Sequence, residues 1–369
     1  MISISSQTAD LVERLTAVSR VASGRSAMQP IAGVRLVAQS GSVSLEAVDA
    51  DLAIRTELPA TVGGSGSITL PGKLLLDVAR ALPAPTVEIT SEEAGIISVR
   101  SGSAEFKLRA LRDDDVPPLP PLDGENPVTL SAGALRDTIA KVDRAAARDA
   151  TRLILTGVLV SATGDELRMV ATDAYRLAVK ETKLDHAIGG EGLEATVPHR
   201  ALGEIAKANI TDETQIELRR DANRIIVRWD GTTLVSRLLD GQFPNYRQLL
   251  QENFTSEVII STKELSEALR RVSILAQKSA RLRLKFTEGE LEIAAETQDV
   301  GGAKETIPAP WHGEELEIGF NPDYLRAGLE CVATETVRLR LINPVRPMVL
   351  EATDDSAFTY LVMPLRLDV

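Results

Sequence analysis

A single cysteine, Cys331, stands in the 369 residues, which excludes an intramolecular disulfide and a cysteine-built zinc site. Set in the apolar string AGLECVA, it reads as a buried, inert side chain in a reducing compartment. Histidine is almost as scarce. His186, His199 and His312 lie far apart, without HxH or HExxH spacing. The GxSxG, GxxxxGKS and GxGxxG strings are missing, and GGSG (63–66) lacks the Lys and Ser/Thr of a phosphate loop, so it reads as a flexible turn. The acidic run Asp113, Asp114, Asp115 opens a proline-rich linker, whereas two-metal chemistry needs carboxylates on rigid strands around cations about 4 Å apart. No metal and no cofactor are expected. No apolar run approaches the ~20 residues of a membrane span, and MISISSQTADL lacks the basic start and apolar core of a signal peptide. These absences predict a cytoplasmic protein without membrane contact.

What is present is enough apolar material to fold: 44% of residues are hydrophobic and 25% charged. A chain of 369 residues exceeds one core and predicts about three domains. Net charge is −12, which argues against a nucleic-acid binder that relies on overall attraction to phosphate. Its distribution has to decide.

The chain repeats itself. TADLVERLTAVSRVA (8–22), AGALRDTIAKVDRAA (132–146) and TKELSEALRRVSILA (262–276) place apolar residues at i, i+4, i+7 and i+11: Leu11, Leu15, Val18, Ala22; Leu135, Ile139, Val142, Ala146; Leu265, Leu269, Val272, Ala276. That spacing draws one stripe along a helix, and Ser261 with Glu264 forms a capping box for the third. A second helix follows in each unit, at 71–82, 198–209 and 321–332, with Leu75, Leu202 and Leu325 in register and a proline in the first turn. Between them, β-branched alternating runs such as TVEITSEEAGIISVRSG and IIVRWDGTTLVSRLL read as antiparallel hairpins. The linker RDDDVPPLPPLDGENP (112–127) and LLQENFTSE (249–257) divide the chain into domains 1–122, 128–250 and 256–369. The fold class is α+β: three repeated domains, each two helices packed on antiparallel sheet.

Opposite the apolar stripes the helices carry Arg20, Lys141, Arg144, Arg148, Arg270, Arg271 and Lys278, joined by Lys73, Arg80, Arg200 and Lys207 on the second helices. Over 8–22, 131–149, 261–281, 71–82, 198–208 and 320–333 the charges sum to +5, which leaves −17 for the remainder of a chain of −12. A basic helical lining on an acidic body predicts a concave face toward a polyanion. Helices about 8–10 Å apart allow six of them to close only a ~10 Å bore, whereas twelve from two chains leave ~28 Å. A duplex about 20 Å across fits only the second, so a head-to-tail dimer ring follows.

The stretches LTGVLVSATGDELRMVATDAYRLAV (155–179), LLDGQFPNYRQLL (238–250), IGFNPDYL (318–325) and YLVMPLRL (360–367) occur in order through the repeats. With them the chain resembles the bacterial sliding clamps, the β subunits of DNA polymerase III, over essentially its whole length. That resemblance implies a non-catalytic homodimeric ring around duplex DNA that tethers the polymerase α subunit, the clamp loader and other replication and repair proteins through short linear motifs. It implies a partner-peptide groove at Leu155, Thr172, Ala174, Tyr175, Arg176, Leu177 and Pro244, continued by Asn321, Tyr324, Val345, Pro347, Val362, Met363, Pro364, Leu365 and Arg366. Gln248 and Leu249 would form its rim. It implies DNA contacts at Arg25, Lys73, Arg148, Arg152 and Arg200, to which the basic helix faces add Lys141 and Arg270. Phe106, Ile274 and Leu275 would make the dimer contact. The chain departs from the family at Leu153 and Ile154, where relatives can carry aromatic residues, and at Ala174, usually glycine, with Tyr175 beside it. Two other readings, an α+β enzyme or a scaffold ring that never meets DNA, would place an isolated binding site around Asp173 and Arg176.

Overall fold

The apolar stripes are buried as their spacing predicts. Leu11, Leu15 and Val18, then Leu135, Ile139 and Val142, then Leu265, Leu269 and Val272 all sit in the core. The computed structural model describes residues 2–22, 33–39, 41–112, 117–189, 192–250, 253–276, 281–297 and 301–367. Its α-helices are α1 (Thr8–Ala22), α2 (Gly72–Ala81), α3 (Ala132–Val142), α4 (His199–Ala206), α5 (Thr262–Val272) and α6 (Pro322–Val332). Helices α3 and α5 stop short of the expected 146 and 276 because the chain tightens there. The Ala146 amide donates to Asp143 O at 3.2 Å and that of Ala276 to Ser273 O at 3.1 Å, the three-residue spacing of a narrower turn. Ser261 caps α5, its hydroxyl accepting from the Glu264 amide. Pro322 is inside the first turn of α6, but Pro71 and Pro198 each stand one residue before their helix. Both are extended, because the strands Gly66–Pro71 and Leu193–Pro198 run directly into α2 and α4.

The chain forms two compact units, one of 1–135 with 188–238 and one of 136–187 with 239–369. In the first, an antiparallel sheet orders Ala60–Gly64, Ser3–Gln7, Thr86–Ser91, Ile96–Ser101 and Ala104–Arg109. A second orders Glu125–Ser131, Gln215–Asp221, Arg224–Trp229, Thr232–Arg237, Leu52–Leu58, Ser42–Val48, Gly33–Gln39 and Gly66–Pro71. Strands from different repeats therefore join edge to edge, with Leu234 opposite Ile54 and Val235 opposite Ala53. The hairpin at Trp229 and Thr232 turns on Asp230 and Gly231, both at positive φ (37° and 67°), the two-residue turn that matches strand twist.

The second unit repeats this device. Its larger sheet sets Gly157–Thr163, Glu166–Thr172, Arg176–Lys183, Phe358–Val362, Met348–Ala352, Thr336–Leu341 and Ser256–Ser261 side by side. There Leu177 faces Leu361 and Ala178 faces Tyr360. A four-stranded sheet orders Gly301–Pro308, Glu290–Thr297, Leu282–Thr287 and Leu316–Phe320, against which α5 packs. The middle repeat is thus shared between the units because its strands hydrogen-bond to both of its neighbours in sequence.

Candidate functional site

In the second unit the turn Asp173–Arg176 is built by its own side chains. Asp173 Oδ1 accepts from the amides of Tyr175 (2.9 Å) and Arg176 (3.0 Å), and Oδ2 accepts from Arg176 Nε at 2.9 Å. Thr172 Oγ1 donates to the Arg176 carbonyl at 2.6 Å and accepts from the Ala174 amide at 3.1 Å. This closure drives Ala174 to φ 76°, a left-handed backbone that favours glycine. The Asp173 carboxylate and Arg176 guanidinium are thereby committed to holding a loop, which removes the reason to read them as an isolated enzyme site.

The turn projects Tyr175, which is 58% exposed, over Tyr324. The two rings stack with centroids 6.2 Å apart and planes 22° apart, and the Arg176 guanidinium lies 4.6 Å from the Tyr324 centroid. Tyr324 is in the first turn of α6, where the Asn321 side chain accepts from the Asp323 amide. From beneath, the Tyr360 hydroxyl donates to the Tyr324 carbonyl at 3.3 Å. Burial, with the Asp173 carboxylate nearby, holds the Tyr324 phenol above its ordinary value, so the ring stays neutral. The Met363 amide donates to Tyr175 O at 2.8 Å, which brings the C-terminal strand against the same turn.

On the face of the sheet opposite Arg176 and Tyr360 lies an apolar cluster of Val170, Leu177, Val179, Tyr246, Val349 and Leu361, with Phe243, Leu250 and Met363 packed on it. Leu155, Thr172, Leu177, Pro347 and Val362 are buried. Met363, Pro364 and Leu365 are half-buried, Arg366, Ala174, Pro244, Gln248 and Leu249 are exposed, and Val345 is 74% exposed. Sequence reasoning did not single out Tyr360, Tyr246 or Phe243. The FPNYR string was the signal for the latter two, since two aromatic residues beside a proline in a linker need a surface to cover.

The basic helix residues divide. Lys141 is a correction. It is only 8% exposed, its ammonium donates to Val332 O at 3.1 Å and lies 5.0 Å from the Phe358 centroid, so it cannot meet phosphate. Arg20 pairs with Glu204 (2.6 Å), Arg200 with Asp49 (2.6 Å) and Arg148 with Asp143 (3.0 Å). Lys73, Arg152 and Arg270 are exposed and make no ion pair among the described residues. Arg25, Lys278 and the aspartate run at 113–115 lie outside those residues. Leu153 is 57% exposed beside Arg152. Among the described residues no group of three metal-ligating side chains converges, and no helix is long and apolar enough to cross a membrane.

Each unit ends in an open sheet edge. In the first it is Ala104–Arg109, which carries the half-buried Phe106; in the second it is Gly301–Pro308. Beside the latter, Arg271 of α5 is held by Glu305, and Ile274, just past the helix, is 64% exposed with Leu275 half-buried next to it.

Comparison with known proteins places three family models along the chain: the DNA polymerase III beta subunit N-terminal domain at 2–120, central domain at 129–245 and C-terminal domain at 247–366. The chain is 36% identical over 365 residues to the beta sliding clamp of Synechococcus elongatus, covering 97% of each. It is 28% identical over 366 residues to that of Staphylococcus aureus, covering 96% of this chain and 97% of the relative. Its fold is similar to the Bacillus subtilis DNA polymerase sliding clamp, with TM-score 0.93, 28% identity and full coverage of both chains. It is also similar to the Pseudomonas aeruginosa DNA polymerase III subunit beta, with TM-score 0.92, 28% identity and 99% and 100% coverage.

Proposed function

Because this chain belongs to the DNA polymerase III beta subunit family, the sliding clamps, we propose that two copies close head to tail, the edge Ala104–Arg109 of one against the edge Gly301–Pro308 of the other. The protein is a clamp and an accessory subunit without catalysis of its own. The observation that carries the ring is the exposed Ile274 beside an edge strand open on one side, an apolar residue and a row of backbone donors and acceptors that a second copy would satisfy together. Phe106, Ile274 and Leu275 are its contact residues, and the repeats keep the boundaries 1–122, 128–250 and 256–369. The ring would enclose duplex DNA, met by Lys73, Arg148, Arg152, Arg200 and Arg270, with Arg25 added from the sequence. These contacts are to phosphate and independent of base sequence. Leu153 and Ile154 offer no stacking ring to single-stranded template, so affinity there is lower than in relatives with aromatic residues.

The Tyr175–Tyr324 platform with Met363, Pro364, Leu365, Val345, Gln248 and Leu249 suits a short peptide with leucine or aromatic anchors. Its owners would be the polymerase α subunit, the clamp loader and repair proteins, in the cytoplasm. The test is retention. Once a loader has placed it, the protein stays on closed circular DNA in salt that strips ordinary phosphate binders and runs off linear DNA. Equal retention on both forms refutes the tether. For the groove, a leucine-rich peptide from a polymerase tail binds at about micromolar affinity, near −8 kcal/mol. Tyr324→Ala with Met363→Ala weakens it by about 2 kcal/mol, and unchanged calorimetry would move the site elsewhere.

A further inference from the structure

The first unit contains a cavity of about 750 Å³ that shares no lining residue with the groove. Its apolar wall is Val12 and Ala17 of α1, Ile54 and Leu234 of the paired strands, Ile210 and Trp229. The internal repeat shows why it is there. Helix α1 aligns with α3 through Leu11 and Leu135, which sets Ala17 where α3 has Lys141. The strand Thr232–Arg237 pairs with Leu52–Leu58 as Phe358–Val362 pairs with Arg176–Lys183. In the second unit Phe358 and Tyr360 are wholly buried, with Lys141 over the Phe358 ring. The Tyr360 ring lies so close to α6 that a Cβ on Gly328 would come within 2.7 Å of it. In the first unit the residues lining the cavity from the equivalent strand are Thr232 and Leu234, and the Thr232 hydroxyl is paired with Thr56 Oγ1 at 2.7 Å. The same junction is built twice, and on this strand only one copy carries rings. Half-buried Val12, Thr16 and Ala17 leave it open to solvent on the helix side, and its volume falls within the range of small-molecule sites.

The charged residues around the cavity give the sign of the occupant. Four cations, Arg14, Arg20, Arg80 and Lys207, face two carboxylates, Glu13 and Glu204. Glu204 is shared by Arg20 (2.6 Å) and Lys207 (3.7 Å), Arg14 reaches the exposed Asp230 at 4.0 Å, and Arg80 touches Thr16 Oγ1 at 3.5 Å. We propose that this cavity binds a small amphipathic anion, its apolar body against Trp229, Ile54 and Leu234 and its acidic group, a carboxylate, sulfonate or phosphate, at Arg80 and Lys207.

The probe is 1-anilinonaphthalene-8-sulfonate, with the uncharged N-phenyl-1-naphthylamine as its counterpart, titrated into the full-length chain. The proposal expects one saturable sulfonate site per chain, with energy transfer from Trp229 that Trp229→Phe removes. Leu234→Tyr, which supplies the ring found at Tyr360, abolishes binding without lowering the melting temperature; Ala17→Leu does the same by filling the space from the helix side should Leu234→Tyr fail to fold. Arg80→Gln weakens the sulfonate about tenfold, the loss of one charge-assisted hydrogen bond, and leaves the neutral dye unchanged. Undiminished binding by a folded cavity-filling variant, or a neutral dye that binds the native chain as tightly as the sulfonate, overturns it.

Discussion

Ala174→Gly should leave the protein as stable as it is or make it slightly more so, the reverse of the usual result of introducing glycine. The left-handed φ of 76° at this position costs an alanine about 1 kcal/mol through the approach of its Cβ to the backbone, and glycine escapes that cost. Against this, glycine releases more entropy on unfolding, about 0.4–1 kcal/mol. The difference is between zero and about +0.5 kcal/mol, or roughly 1–2 °C in melting temperature for a unit of this size. Ala140→Gly on the exposed side of α3 is the control, where glycine gains nothing and loses about 1 kcal/mol of helix propensity. Ala174→Val completes the series, since a β-branched residue is worse there than alanine. Calorimetric melts of the three variants should rank Ala174→Gly first. If Ala174→Gly falls as far as Ala140→Gly, the turn is not strained and the account of Asp173 and Thr172 closing it is wrong.

Ile274→Ala with Leu275→Ala should sediment as a monomer at micromolar concentration, and a persisting dimer would relocate the interface. Lys141→Met should leave retention on circular DNA unchanged because the ammonium is buried under Phe358, while Lys73→Ala with Arg270→Ala should lower the salt slope of DNA binding by about 2; equal effects of the two would return Lys141 to the DNA face. The Cys331 thiol, pushed up to about 11 by burial, should stay unreactive toward Ellman's reagent at pH 8 until the protein unfolds. Because the folded value is raised, any contribution of this group to stability is present below pH 9 and declines only as pH rises toward 11. Rapid labelling of the native chain at pH 8 would contradict its placement.

The helices were legible because an α-helix writes its buried side at a fixed period, so Leu11, Leu135 and Leu265 announce themselves without any tertiary knowledge. The groove was legible only through family strings, and even there the sequence did not tell which residues face outward. Leu177 and Val362 are both buried yet lie on opposite faces of the sheet, since Leu177 is paired with Leu361 and Val362 with Arg176, and that parity is fixed by the pairing of Arg176–Lys183 with Phe358–Val362, more than a hundred residues away. Lys141 misled for a related reason. On the helical wheel it lies away from the apolar stripe, and only Phe358 and the Val332 carbonyl decide that its ammonium turns inward. The Asp173 clasp was visible as residues but not as geometry, since an Asp three before an Arg serves equally in a site or a turn.

Because the strand Thr232–Arg237 completes a sheet begun by Leu52–Leu58, and Phe358–Val362 one begun by Arg176–Lys183, the polypeptide has no place where scissors separate it into self-sufficient pieces. Fragments cut at the proline-rich linker would each expose a raw, adhesive flank and would find one another again or precipitate. Minimal versions of the molecule therefore have to be trimmed along the weave of the strands and not along the rhythm of the repeats.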